Sequence, residues 1–235
     1  MNPTESHRRR RLPHHDVPGA AYFVTTCLDG SIPALGLADI RRQRSDDAAR
    51  PRPAGVSDRE WAAEAWKRAF GTTDRWLDDS PARRDLEAPA LAGEVAAALR
   101  YFAGQRYDLL AFVVMPSHFH WVFRPLESWA AGLSDESPSA RAQIVHSVNR
   151  HSALTCNRLL QRSGPFWQRE SYDHWVRDAD ELERIIRYVE HNPVKAGLAT
   201  TVEAWPFSSA HDRQRLGLAL GTPLIGQEAR DGELA

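Results

Sequence analysis

Two strand-length apolar segments, separated by two residues, constrain this chain more than anything else in it. Residues 109–115 (LLAFVVM) form a continuous apolar run, Pro116-Ser117 has turn chemistry, and residues 118–124 (HFHWVFR) alternate in character. A continuous run fits a strand covered on both faces, and alternation fits a strand whose two faces do different work. Together they read as the central hairpin of an antiparallel sheet.

The segments around this hairpin extend the pattern. Residues 22–28 (YFVTTCL) are aromatic and β-branched and read as a first strand. Pro89 opens an amphipathic helix in which Leu91, Val95, Ala98, Leu99 and Phe102 recur at helical spacing, with Gly104 as its stop. Ser137 and Pro138 have the form of an N-cap and N1 pair for a polar helix running to about residue 160, ended by Gly164-Pro165. Residues 166–176 (FWQRESYDHWV) read as another strand. Asp178 and Glu181 have capping-box spacing before a helix with the buried stripe Leu182, Ile185, Ile186 and Val189, and Asn192-Pro193 is expected to stop that helix.

The order strand, helix, hairpin, helix, strand, helix predicts an α+β fold with helices packed on one antiparallel sheet. A ferredoxin-like arrangement is its simplest version. Residues 30–83 interrupt this order with Pro33, Pro51 and Pro53, charge clusters, and Trp61, Trp66 and Trp76. They read as an insertion after the first strand, with one short helix near residues 58–70. The chain then divides into a basic arm (1–18), one catalytic-sized domain (19–210, including the insertion) and a tail (211–235).

Composition excludes several classes. The formal net charge of −1 argues against a protein held to duplex DNA by bulk positive charge, so any nucleic-acid site is local. Lys67 and Lys195 are the only lysines, leaving arginine to carry nearly all the positive charge. No apolar stretch is long enough to span a bilayer, and the mean hydropathy is −0.51. The basic run from His7 to Arg11 is followed by no apolar leader core, so a cytoplasmic, nucleoid-associated location is expected. Cys27 and Cys156 are too few for a disulfide framework and read as reduced, inert thiols.

Chemistry enters at His118 and His120. Residues two apart on a strand project to the same side, so both imidazoles face away from Phe119, Trp121 and Phe123. The pair is either a bidentate metal clamp or two polar face residues. Tyr188 and Asn192 sit four apart on the last strong helix, one above the other at the edge of its apolar stripe. Alone, a tyrosine there is a packing residue with a wet hydroxyl. A phenol of pKa about 10 is a weak nucleophile and needs an activated electrophile. A divalent cation on His118, His120 and the Asn192 amide oxygen would activate a phosphate for attack by Tyr188. The mixed nitrogen and oxygen set suits Mg²⁺ or Mn²⁺, with zinc as an alternative. Exchange of a phosphodiester for a tyrosyl ester conserves the bond, which fits a strand transferase.

These residues resemble a known family. Residues 113–125 (VVMPSHFHWVFRP) are similar to the HUH signature of the REP-associated tyrosine transposases, a group of single-tyrosine HUH transposases. Residues 162–199 (RSGPFWQRESYDHWVRDADELERIIRYVEHNPVKAGLA) resemble their tyrosine region, residues 205–210 (WPFSSA) its sequel, and YFVTTCL their first strand. The resemblance implies the ferredoxin-like HUH fold, metal ligation by His118, His120 and Asn192, and Tyr188 as nucleophile. It also implies a substrate class, hairpin-forming repetitive extragenic palindromes, cut on one strand to leave a 5′-phosphotyrosine and a free 3′-hydroxyl. Ser117 departs from the Asn or Asp that commonly precedes the first histidine, and Phe119 from the usual Val. Asn149 and Arg150 stand where relatives often carry a lysine.

Other groups have plainer readings. Tyr172 is the rival nucleophile, but between Trp167 and Trp175 on a strand it reads as a packing residue. His146, His151 and His174 read as surface or supporting residues. Arg169, Arg177, Arg187 and Lys195 surround the tyrosine region as candidate DNA contacts, and Arg10 in the basic arm is a fifth. Trp61, Trp66 and Trp129 are candidates for stacking on unpaired bases or for packing. The expected partner is single-stranded or hairpin DNA, bound by a monomer or homodimer. Two other readings stand beside this: a domesticated hairpin binder without catalysis, and a metal hydrolase that uses water and leaves no adduct.

Overall fold

The structure is a computed structural model and describes residues 16–134, 136–169, 171–219 and 221–224. Arg10, with most of the basic arm, and the end of the tail lie outside the described residues. Four strands form the sheet: β1 (Tyr22–Cys27), β2 (Tyr107–Val114), β3 (His118–Pro125) and β4 (Tyr172–Trp175). Their order is β2-β3-β1-β4 and every pairing is antiparallel. Helix α3 (Pro89–Tyr101) connects β1 to β2; α5 (Ala140–Leu159), which follows the single turn α4 (Glu127–Ala130), connects β3 to β4. That is the expected ferredoxin-like α+β arrangement.

The period of two in β3 explains the two cores. Phe119, Trp121 and Phe123 turn toward α3 and α5, where they join Val24, Leu99, Phe112, Ile144 and Val148. Trp121 and Phe123 stack with ring centroids 4.1 Å apart. Each such fully buried side chain contributes roughly 1.5–3 kcal/mol relative to exposure. On the opposite face Phe23, Val113, Val122, Ile186 and Val189 form a second core under α6 (Ala179–Lys195). A register shift between Leu109 and Ala111 gives Leu110 and Ala111 consecutively to this second core, as a bulge does.

Five local expectations need correction. The insertion holds two long helices, α1 (Ala34–Ala49) and α2 (Asp58–Asp79), rather than one short one. Helix α5 is capped by Ser139, whose hydroxyl accepts from Ala142 N–H, because Ser137 and Pro138 stay outside the helix. Only Tyr172–Trp175 of the expected 166–176 strand is regular, and Trp167 makes a lone bridge to Leu28. Asp178 caps α6, but Glu181 reaches back to Arg177 N–H instead of closing a capping box. Pro193 does not stop α6, which runs on to Lys195. In the last turn proline forfeits one intrahelical bond, and its carbonyl accepts from Leu198 N–H before Gly197 (φ 68°) turns the chain away.

The inserted helices pack on each other and on the end of β1 through Cys27, Ile32, Leu37, Ile40, Trp76 and Leu77. Gly36 is required there, because a Cβ would lie 2.9 Å from both Ile32 and Trp76 side-chain atoms. Arg68 pairs with Asp47 at 2.6 Å and Trp76 donates to Asp39 at 3.1 Å, tying α2 to α1. After α6, α7 (Ser209–Leu216) packs on β2, and Leu224 bridges to Leu109. A buried Arg213–Glu190 pair, also bonded to Ser209, holds α7 against α6.

Candidate active site

His118 and His120 lie on the face of β3 that looks toward α6 and α2, and both rings are buried. Their Nε2 atoms are 3.0 Å apart. The outer nitrogens fix what those inner ones are. Ser117 Oγ donates to the Leu77 carbonyl at 3.0 Å, so it accepts from His118 Nδ1–H at 2.9 Å. His118 is thereby held as the Nδ1–H tautomer with a bare lone pair on Nε2. His120 Nδ1 meets Thr25 Oγ1 at 2.7 Å, and a hydroxyl can donate or accept. When Thr25 accepts, His120 also presents a bare Nε2, and two lone pairs at 3.0 Å require a cation between them. When Thr25 donates, the proton on His120 Nε2 bridges to His118.

Helix α6 brings Tyr188 to the same place. Its ring centroid is 5.6 Å from that of His120 and 6.1 Å from that of Phe23. One turn later Asn192, fully buried, donates from Nδ2 to the Tyr188 hydroxyl at 3.4 Å, and its Oδ1 has no partner. Because α6 continues through Pro193, the Tyr188–Asn192 spacing remains helical and the two side chains stay on one face.

Helix α2 closes the site from above. Trp66 stacks on His174 at 4.5 Å and on Phe70 at 5.1 Å, and Phe70 packs edge-on to Phe23, His120 and Tyr188. Further along the same row of four-residue steps come Asp74 and Asp78. Asp74 Oδ1 lies 3.3 Å from His120 Nε2, Asp78 Oδ1 lies 3.9 Å from His118 Nε2, and neither oxygen makes a directed hydrogen bond. Their other oxygens hold Lys195 Nζ at 3.3 and 3.0 Å. Donor atoms of Asp74, His118 and His120 all lie within 4.8 Å of one another. Two inward imidazole nitrogens and the buried, unpartnered oxygens of Asp74 and Asn192 suit a hard divalent cation, with the unpartnered Asp78 oxygen farther off.

Electrostatics agree with this donor set. Burial, followed by the neighbouring His120, holds His118 well below the ordinary histidine range, so it is neutral near pH 7. Burial opposes ionisation of Asp74, but His120, 3.3 Å away, outweighs it and holds the carboxyl below its ordinary range. Asp78 is raised by burial and by Asp74 beside it. Burial and the Asp74 charge push the Tyr188 phenol far above its usual value. Tyr188 is therefore a protonated phenol in this arrangement.

The structure gathers His118, His120, Tyr188 and Asn192, with Lys195 3.0–3.3 Å from the two acids and 5.9 Å from the Tyr188 ring centroid. The other candidate DNA contacts stand apart. Arg187 is exposed and paired with Glu183, and Arg177 is paired with Glu181. Arg169 lines a cleft with His146, Asn149 and Arg150 on the α5 side. Tyr172 is buried and accepts from Arg44, as a packing residue would. Sequence reasoning missed Thr25, Ser117, Asp74 and Asp78. The available signal for the acids was the row Trp66, Phe70, Asp74, Asp78 at steps of four, two aromatics continued by two carboxylates.

Fold and site together define an α+β protein with a buried histidine pair, a tyrosine and acids gathered on one face of an antiparallel sheet. No protein-family model matches the chain. In sequence it is 27% identical over 112 residues to a REP-associated tyrosine transposase of Escherichia coli K12, covering 48% of this chain and 59% of that protein. A Haemophilus influenzae protein carrying the same family name is 29% identical over 111 residues, 45% of this chain and 60% of the relative. The chain thus spans about three fifths of the length of these curated relatives. In fold it matches a solved REP-associated tyrosine transposase bound to a REP hairpin, with a TM-score of 0.51 and 17% identity over 89% of this chain and 88% of the other. The resemblance read from the motifs is present in both sequence and fold.

Proposed function

We propose that this chain is a metal-dependent endonuclease and strand transferase acting on single-stranded, hairpin-forming palindromic DNA. The observation that carries the reading is the contact of Tyr188 with His120 on one side and with Asn192 on the other. Mg²⁺ or Mn²⁺ held by His118, His120 and Asn192 would supply positive charge to a non-bridging phosphate oxygen. The protein groups do the rest. Tyr188 Oη attacks the phosphorus, forming a tyrosyl phosphodiester with the 5′ end of the downstream fragment. The departing 3′-oxygen takes up a proton and becomes a free 3′-hydroxyl, and the phenol gives up its own. Rejoining reverses these transfers with the 3′-hydroxyl of a second strand.

Lys195, released from Asp74 and Asp78, is the cation best placed to meet the scissile phosphate. Arg177 and Arg187 would have to exchange a carboxylate partner for a phosphate, and Arg169 would touch DNA away from the scissile bond. Among the described residues no helix is long and apolar enough to cross a membrane. A location with the nucleoid follows from the proposed substrate.

The test is incubation of the chain with a hairpin oligonucleotide in Mn²⁺, with the covalent adduct read on a denaturing gel. Wild type forms it and Tyr188→Phe does not; an adduct that survives in Tyr188→Phe places the nucleophile elsewhere. One observation favours the reading as a hairpin binder without catalysis: Phe70 and the acids of α2 cover Tyr188. Tight hairpin binding by wild type with no cleavage in Mn²⁺ or Mg²⁺ would establish that alternative.

A further inference from the structure

We infer that Asp74, carried by the inserted helix α2, is itself a ligand of the metal, so that metal binding fastens the α1–α2 hairpin over Tyr188. The inference rests on the reading of His118 and His120 as a metal site. It begins from the burial of Asp74, which is 5% exposed. A carboxylate so deeply placed needs a partner for each oxygen. Lys195 satisfies Oδ2 at 3.3 Å. Oδ1 makes no directed hydrogen bond and faces His120 Nε2 at 3.3 Å.

Asp78 provides an internal comparison. It is bound to the same Lys195, and one of its oxygens is equally unpartnered. Yet that oxygen is 3.9 Å from the nearer imidazole nitrogen, and Asp78 falls outside the group of mutually close donors formed by Asp74, His118 and His120. The geometry therefore selects one of two neighbouring acids. With Asp74 added, the donor set becomes two imidazole nitrogens, one amide oxygen and one carboxylate oxygen. The added negative charge raises affinity for a hard divalent cation.

The consequence for the hairpin is mechanical. Helix α2 otherwise rests on this face through Trp66, Phe70, the Ser117 bond to the Leu77 carbonyl and the Lys195 pairs. A bond from Asp74 to an ion held by the sheet would join the hairpin to β3 and restrain the aromatic cover on Tyr188. DNA would then have to lift α2, with the scissile phosphate taking the place of the Asp74 carboxylate.

The experiment is calorimetric titration of the full chain with Mn²⁺ for wild type, Asp74→Asn, Asp78→Asn and His120→Ala, with hydrogen exchange of residues 58–79 with and without Mn²⁺. Asp74→Asn is expected to weaken Mn²⁺ binding at least tenfold, Asp78→Asn to stay within threefold of wild type, and His120→Ala to abolish binding. Mn²⁺ should slow exchange in α2 of wild type and not of Asp74→Asn. Equal losses in the two Asn variants would mean that both act through Lys195 and would overturn the inference. So would wild-type affinity in Asp74→Asn while His120→Ala fails to bind, a result that leaves the metal site itself standing. Absence of Mn²⁺ binding in wild type would sink both. If Asp74→Asn does not fold, wild-type exchange decides: Mn²⁺ protection of β3 and α6 without protection of α2 contradicts the inference.

Discussion

Asn192 Nδ2 stands 3.4 Å from the Tyr188 hydroxyl, so the amide that steadies the phenol leaves its own oxygen buried and unpartnered. Asn192→Asp keeps an oxygen donor and is expected to retain Mn²⁺ binding. Asn192→Leu removes the donor at similar size and is expected to weaken Mn²⁺ binding by roughly 10–100-fold, the scale on which loss of a group supporting a metal site acts. Titration calorimetry reads both. Unchanged affinity in Asn192→Leu would remove Asn192 from the ligand set.

Ser117 and Thr25 orient the imidazoles from behind. Ser117→Ala leaves His118 Nδ1–H without an acceptor and frees the Leu77 carbonyl from its bond. Thr25→Val keeps the shape of the side chain but removes the hydroxyl that must accept from His120 when its Nε2 is bare. Each variant is expected to lose roughly 10–100-fold in Mn²⁺ affinity. Thr25→Val also loses about 1 kcal/mol of metal-free stability in urea melts from one broken buried hydrogen bond, and Ser117→Ala about 2 kcal/mol from two. A variant that melts early but binds Mn²⁺ as wild type does would confine that residue to a structural role.

The pH dependence of stability follows from the buried histidines. Burial depresses His118 and His174 in the folded state, whereas the unfolded chain takes up these protons near pH 6.5. Their contribution is present above about pH 6.5 and is lost as pH falls toward the folded values. Glu181, held down to about 2 against the cost of burial by its bonds to Arg177, adds a second loss below about 4.5. Urea midpoints of the metal-free chain should be flat from pH 8 to 7, fall below 6.5, and fall again below 4.5. A midpoint constant between pH 7 and 5 would contradict the neutral, buried His118.

Gly36 tests whether α1 positions α2. A methyl group at this site meets Ile32 and Trp76 at 2.9 Å, so Gly36→Ala must push α1 away from α2. Overpacking of this kind costs about 1–3 kcal/mol. Hydrogen exchange should rise across residues 34–79 while β2, β3 and α5 keep their protection. Uniform loss of protection would mean that the insertion and the sheet unfold as one unit.

Much of this was legible in the sequence because the β3 alternation and the α6 stripe each obey a single period. HFHWVF assigned faces correctly, since Phe119, Trp121 and Phe123 do fill one core and the histidines face the other side. Tyr188 and Asn192 were found because i, i+4 spacing survives any small error in a helix boundary. The insertion was opaque for a physical reason. Helix α1 (ALGLADIRRQRSDDAA) buries only Gly36 and Ile40, so it has almost no stripe to read. Helix α2 has one, but it changes from aromatic to acidic halfway, and a carboxylate row reads as solvent-facing until a sheet with two histidines is placed beneath it. The end of α6 was misjudged because proline was given more weight than the last-turn carbonyls that continue past it.

The central claim is that Tyr188 reaches a phosphate held beside His118 and His120. Its most direct measurement is mass spectrometry of the protein–DNA adduct formed with a hairpin oligonucleotide in Mn²⁺, digested to a single phosphopeptide. The account predicts a nucleotide-bearing peptide modified at Tyr188 in wild type, and no adduct in His118→Ala or His120→Ala. Modification at Tyr172 or any other residue, or an adduct undiminished without the histidines, would contradict it.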